Sequence, residues 1–176
     1  MTDFLSARIR QRYANMDSDA PWQTVELNHS TFVDGPERFV CGRDIDDHLT
    51  ATLEADAPFN PGAAVVFTSM AFDFIPPGQD ATGPTPARVR IDNISGRISA
   101  LMKLTITAND PVTIIYREFD PEDLTEPGYV VKGLLLKRVP IGATSATGEL
   151  GWREVQLQAV SNQVYDRARF PALFVR

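Results

Sequence analysis

The chain has 176 residues with 43% hydrophobic and 23% charged residues, and a formal net charge of −6. One core of this length buries roughly 70% of the surface that the unfolded chain exposes, so no disulfide or metal is required for stability. The acidic balance argues against an outer surface made to grip nucleic-acid phosphates, and the single cysteine, Cys41, excludes an intrachain disulfide or a multi-cysteine cluster.

The first residues, "MTDFLSARIRQRY", hold no apolar run long enough for a signal peptide. No stretch of about 18 apolar residues occurs, so no membrane span is expected. Residues 3–16 predict a short helix, because Leu5, Ile9, Tyr13 and Met16 recur near the helical period. Such a helix packs on its own domain or docks on a neighbour. "DSDAP" ends it at Pro21.

Strands dominate the rest of the chain. "WQTVELNHS" alternates Val25 and Leu27 against Thr24 and Glu26, and a turn at Asp34-Gly35-Pro36 leads to a short strand through Phe39 and Cys41. Leu49, Ala51 and Leu53 suggest another. "GAAVVFTSMAFDFIPP" predicts one strand from about Ala64 to Phe74, and "GQDATGPTP" reads as a loop. "ARVRIDNISGRISALMKL" predicts a strand, a corner and a helix. Val89 and Ile91 alternate with Arg88 and Arg90, then Ile94, Ile98, Leu101 and Met102 fall on one helical face, with Ser95 as N-cap. "DPVTIIYREF" predicts a strand and "DPEDLTEPG" an acidic loop. "YVVKGLLLKRVPIG" and "LGWREVQLQAVSN" predict two long strands joined by "ATSATG". The end, "VYDRARFPALFVR", is aromatic without a clean period.

These elements predict a mainly β fold with one or two short helices, an antiparallel β-sandwich or split barrel. The expected organisation is an N-terminal helical arm at 1–20, a body at 21–165 and a C-terminal docking tail at 166–176.

Chemistry is sparse. His29 and His48 are the two histidines, and no Gly-x-Ser-x-Gly elbow accompanies them. His29 is read as a partner of a turn carbonyl rather than a catalytic base. Cys41 with His48 imitates a Cys–His pair, but Cys41 sits in a strand-like run as a small apolar residue. Asp44, Asp46, Asp47 and His48 crowd together, without the glycine and closing glutamate of a calcium loop. They are read as a solvated turn or charged edge, like the acidic loop at Asp120, Glu122, Asp123 and Glu126. Arg88 with Arg90, and Arg167 with Arg169, are expected to face carboxylates of a neighbouring strand or subunit. No catalytic residue, cofactor or metal is expected.

The order of segments carries a resemblance. "VELNHSTF", "RDIDDHLTATLEADAPF", an aromatic strand, "ARVRIDNISGRISALM", "PVTIIYREF" and "YDRARFPAL" succeed one another over about Trp22 to Leu173. This order resembles a bacteriophage and prophage family from the tail gene region, classed as a domain of unknown function. The resemblance implies a virion structural protein of a long non-contractile tail, made in the host cytoplasm and located in the virion tail. It implies a distal-tail or tail-tip adaptor that assembles as a hexameric or trimeric ring. Its partners would be the tail tube and tip hub or fibre proteins, with DNA only passing through the channel. Some related tip components are thought to carry a cysteine-bound iron–sulfur cluster, which Cys41 alone cannot supply. The residues expected at an oligomer interface are Phe4, Leu5, Ile9, Tyr13, Phe170, Leu173 and Phe174. Two other readings stay open: a receptor- or carbohydrate-binding β-sandwich using Trp22 or Trp152, and a tail-associated cell-wall hydrolase.

Overall fold

The computed structural model of the chain describes residues 5–15, 20–41, 48–80, 83–92, 96–106, 108, 110–140, 142, 145–152 and 169. Within them the fold is mainly β with two short helices. The elements are α1 (Ala7–Asn15), β1 (Trp22–Asn28), β2 (Glu37–Cys41), β3 (His48–Thr52), β4 (Ala64–Ser69), β5 (Phe72–Ile75), β6 (Gly78–Asp80) and β7 (Gly83–Thr85). They continue with β8 (Ala87–Asp92), α2 (Arg97–Thr105), β9 (Thr113–Phe119), β10 (Tyr129–Arg138) and β11 (Ser145–Gly151).

Nine strands form one sheet in the order β3-β4-β2-β1-β9-β10-β11-β8-β5, and β6 pairs with β7 as a separate ribbon. The pairings are antiparallel except for β2 with β4, so the sheet is mixed rather than purely antiparallel. The β3–β4 hairpin folds back and lays β4 along β2 in the same direction.

The stretch read as one strand over Ala64 to Phe74 is two strands near opposite ends of the sheet. The join is Met70-Ala71. Met70 N–H donates to the Val40 carbonyl of β2 (2.9 Å), and the Ala71 carbonyl accepts from Asp92 N–H of β8 (2.9 Å). Successive residues of an extended chain aim their backbone groups to opposite sides, so this single segment ties the two ends of the sheet together. The sheet therefore rolls into a split barrel instead of lying open.

Rolling creates an inside. Val25, Leu27, Phe39, Phe74, Val89, Ile91, Ile114, Leu134 and Leu150 share one buried cluster. Phe74 of terminal strand β5 stacks on Tyr116 of central strand β9, with ring centroids 4.0 Å apart. Helix α2 contributes Ile98 and Met102 to the same cluster, with Leu101 partly buried against it. Its N-cap is Gly96 with φ 70°, a left-handed conformation that glycine adopts without strain. Ser95, expected as the cap, and Ile94 lie outside the described residues.

A second cluster covers the other face near β3 and β4, built from Val40, Leu49, Ala51, Leu53, Val65, Phe67 and Phe119. Phe67 meets Phe119 edge-on at 5.9 Å. Strand β9 is thus buried on both faces from Ile114 to Phe119.

Two expected loops are strands. "GQDATGPTP" contains the β6–β7 ribbon, in which Gly78 pairs with Thr85 and Asp80 with Gly83. "ATSATG" supplies the start of β11, where Ser145 to Gly148 pair with Asp92 to Val89 of β8. The strand expected over "LGWREVQLQAVSN" is described as far as Trp152; residues 153–163 lie outside the described residues.

Candidate functional site

Among the described residues, three groups of side chains carry chemistry. The first is a buried ionic cluster. Arg117 is fully buried, and its guanidinium donates to both oxygens of Glu54, from Nε at 2.8 Å and from Nη2 at 3.1 Å. Its Nη1 donates to Glu26 Oε2 at 3.3 Å. Arg38 Nε donates to that same oxygen at 2.8 Å, and Lys132 Nζ reaches Glu54 Oε1 at 3.1 Å and Asp56 Oδ1 at 2.7 Å. Burial opposes the charge of Glu54, yet the Arg117 hydrogen bonds, its own backbone and Lys132 hold its carboxyl below the ordinary range. Among the described residues, Glu26 Oε1 has no hydrogen-bond partner.

The second group fastens helix α1. Ile9 is completely buried, and Ser6 N–H donates to the Gly128 carbonyl at 2.8 Å. Ser6 Oγ accepts from Ile9 N–H at 3.3 Å, a side-chain cap for the first turn. Arg12 pairs with Asp120 at 2.6 Å and Arg8 with Asp123 at 3.2 Å. Tyr13 and Tyr116 donate their hydroxyls to the two oxygens of Glu118, at 2.8 and 2.7 Å. Burial first, then the Glu118 carboxylate, pushes both phenols above their ordinary value. For Asp120, burial works against ionisation, but the Glu122 N–H and the Arg12 guanidinium keep the carboxyl below its ordinary value.

The third is a groove of about 590 Å³ between the last turn of α2, the approach to β9 and the end of β10, a size typical of binding clefts. Its apolar lining includes Met102, Ile106, Val112, Leu136 and Val139, and its charged residues are Lys103, Lys137, Arg138 and Asp110. Local backbone explains the arrangement. Helix α2 ends at Ile106 in ordinary helical conformation, leaving that side chain 78% exposed. The β10–β11 register shifts between Leu136 and Arg138, and such irregularities re-aim side chains. Lys137 and Arg138 are consequently both exposed. Asp110 stays below its ordinary value through the Ser30 hydrogen bond first and its own backbone second. The rim thus sets three cations against one carboxylate, around an apolar floor.

Among the residues singled out from sequence, His29 is buried. Its Nδ1 accepts from Thr31 Oγ1 (2.8 Å) and Thr31 N–H (3.2 Å), and its Nε2 lies 2.9 Å from the Asp110 carbonyl. That carbonyl can only accept, so Nε2 carries the hydrogen. The ring holds a turn, as its place in "LNHST" suggests. Cys41 and His48 lie on β2 and β3, with β4 between these strands, two strand spacings or about 10 Å apart. Asp44, Asp46 and Asp47 lie outside the described residues. Arg90 stands opposite Asp73 on β5, and Arg88 opposite Glu149 on β11. Among the described residues, no group of three or more His, Cys, Asp or Glu side chains is placed to hold a metal ion. No helix among them is long and apolar enough to cross a membrane.

Of the expected interface residues, Phe4, Phe170, Leu173 and Phe174 lie outside the described residues. Leu5 forms a β-bridge with Tyr129, Ile9 is buried against its own chain, and Tyr13 is 53% exposed. Sequence reasoning missed the groove. Its visible signal is Ile106, which continues the i, i+4 spacing of Ile98 and Met102 one residue past the end of the helix.

No curated protein matches the chain. Residues 8–165, nine-tenths of its length, match the family model of a domain of unknown function (DUF1833), and the chain belongs to that family.

Proposed function

We propose that this protein is a virion structural component of a long non-contractile phage tail, a distal-tail or tail-tip adaptor that forms a ring between the tail tube and the tip hub or fibres. The observation that carries this reading is how the fold uses its polar chemistry. Buried Arg117 pairs with Glu26 and Glu54, while among the described residues an apolar groove with a basic rim stays open at one end of the β9–β10 hairpin. A rolled sheet with such a surface suits a part that neighbours hold. The order of segments over Trp22 to Leu173, which resembles tail-region proteins, supports the same reading. Net acidity suits a channel past which DNA slides without sticking, because like charges repel.

The test is location in the particle. Particles produced by the phage or prophage that encodes this chain are labelled with gold-conjugated antibody raised against it. Label confined to the distal end of the tail is the expected result. Particles with intact tails and no label on them would overturn the reading.

A further inference from the structure

We infer that the acidic 120–128 loop of one copy seats in the basic-rimmed groove of the next copy, so that subunits join head to tail. This inference rests on the ring reading above and names the contact that would build the ring.

Charge is the first argument. The loop carries Asp120, Glu122, Asp123 and Glu126. The subunit's own arm engages this loop through Arg12 and Arg8. Arg12 also reaches Glu122 at 3.4 Å, but that carboxylate remains 78% exposed, and Glu126 is exposed as well. Among the described residues, two cations against four carboxylates leave this end acidic. The described lining of the groove carries the opposite excess, Lys103, Lys137 and Arg138 against Asp110, with Glu149 standing opposite Arg138 on β11. Pro121 and Pro127 flank the carboxylates and present apolar rings to the apolar floor.

Geometry is the second. The loop comes after β9 and the groove precedes it, so the two sites sit at opposite ends of one hairpin, roughly 25 Å apart at 3.3 Å per residue. No copy can seat its own loop in its own groove. A contact between unlike surfaces is heterologous, and repetition of it closes a ring or runs on as a filament.

Order is the third. Asp120 pairs with Asp123 in a β-bridge, Glu122 N–H donates to Asp120 Oδ1 at 3.0 Å, and Thr125 N–H donates to Asp123 Oδ1 at 3.2 Å. Thr52 N–H donates to the Leu124 carbonyl at 2.9 Å. A loop already fixed loses little freedom on docking. Its footprint is smaller than the roughly 800 Å² per partner of a stable pair. A single contact is therefore weak, and closure, which gives every subunit two contacts, stabilises the assembly.

The experiment is a charge swap in the full chain. One variant carries Glu122→Lys with Glu126→Lys, and the other Lys103→Glu with Lys137→Glu. All four positions are exposed, and thermal melting confirms folding. The milder Glu122→Gln with Glu126→Gln variant serves if the reversal does not fold. Each reversal alone should weaken self-association about tenfold or more in sedimentation, since like charges face each other. A chain carrying all four reversals should regain the wild-type mass range in a ring of any order, because each contact then joins opposite charges again. One-end variants that assemble like wild type, or a four-residue reversal that folds yet stays dissociated, would overturn the loop–groove contact and leave the ring reading standing. Wild-type protein that stays monomeric up to millimolar concentration would overturn both.

Discussion

Arg117 shows how one side chain organises the interior. It projects from a central strand into a space closed by the second apolar cluster, and its two carboxylate partners come from β1 and from the turn after β3. Removing the cation takes both guanidinium hydrogen bonds from Glu54 and leaves each buried carboxylate one cation, Arg38 for Glu26 and Lys132 for Glu54. Arg117→Met is therefore expected to cost about 3–5 kcal/mol, read as a lower urea midpoint. Replacing Glu26 and Glu54 by Leu in the same chain should restore part of that loss, because the buried carboxylates are gone while Arg38 keeps Asn60 and Lys132 keeps Asp56 as partners. Failure to restore it would show that the ions also specify the packing. Half of this site was legible. The alternation of Val25 and Leu27 with Thr24 and Glu26 assigns the two faces of β1 correctly. That the Glu26 face would also be buried was not, because the residues covering it, such as Leu49 and Phe67, come from β3 and β4.

At the scale of elements, the sequence placed most strands where they occur, since period-two alternation marks half-buried strands directly. It failed where partners rather than pattern decide. Met70-Ala71 interrupts no apolar run, and only the hydrogen bonds to β2 and β8 turn one apparent strand into two. Gly and Pro in "GQDATGPTP" signal a loop, yet the two short segments pair with each other. Helix α1 was legible as a helix, but its docking was not, because Gly128 lies more than a hundred residues away. A Cβ on Gly128 would overlap Ile9 Cγ1 and Ser6 Oγ. Gly128→Ala should therefore loosen the arm, and trypsin should cut at Arg8, Arg10 or Arg12 several-fold faster at native conditions. Unchanged cleavage would mean that the ion pairs to Asp120 and Asp123 hold the arm without Ile9.

At the scale of the whole molecule, the fold class emerges from the spacing of strands and turns, whereas the groove was hidden. The groove is assembled from a helix end, the strand approach that follows it and a strand exit 24 or more residues further on, and no local pattern announces it. On the proposed reading, the protein acts by joining copies of itself. The most direct measurement is the mass of the purified full chain by sedimentation over a wide range of concentrations, with the particles imaged by negative stain. Closed rings of three or six copies that weaken as salt is raised are the predicted result. A strict monomer at every concentration would contradict it.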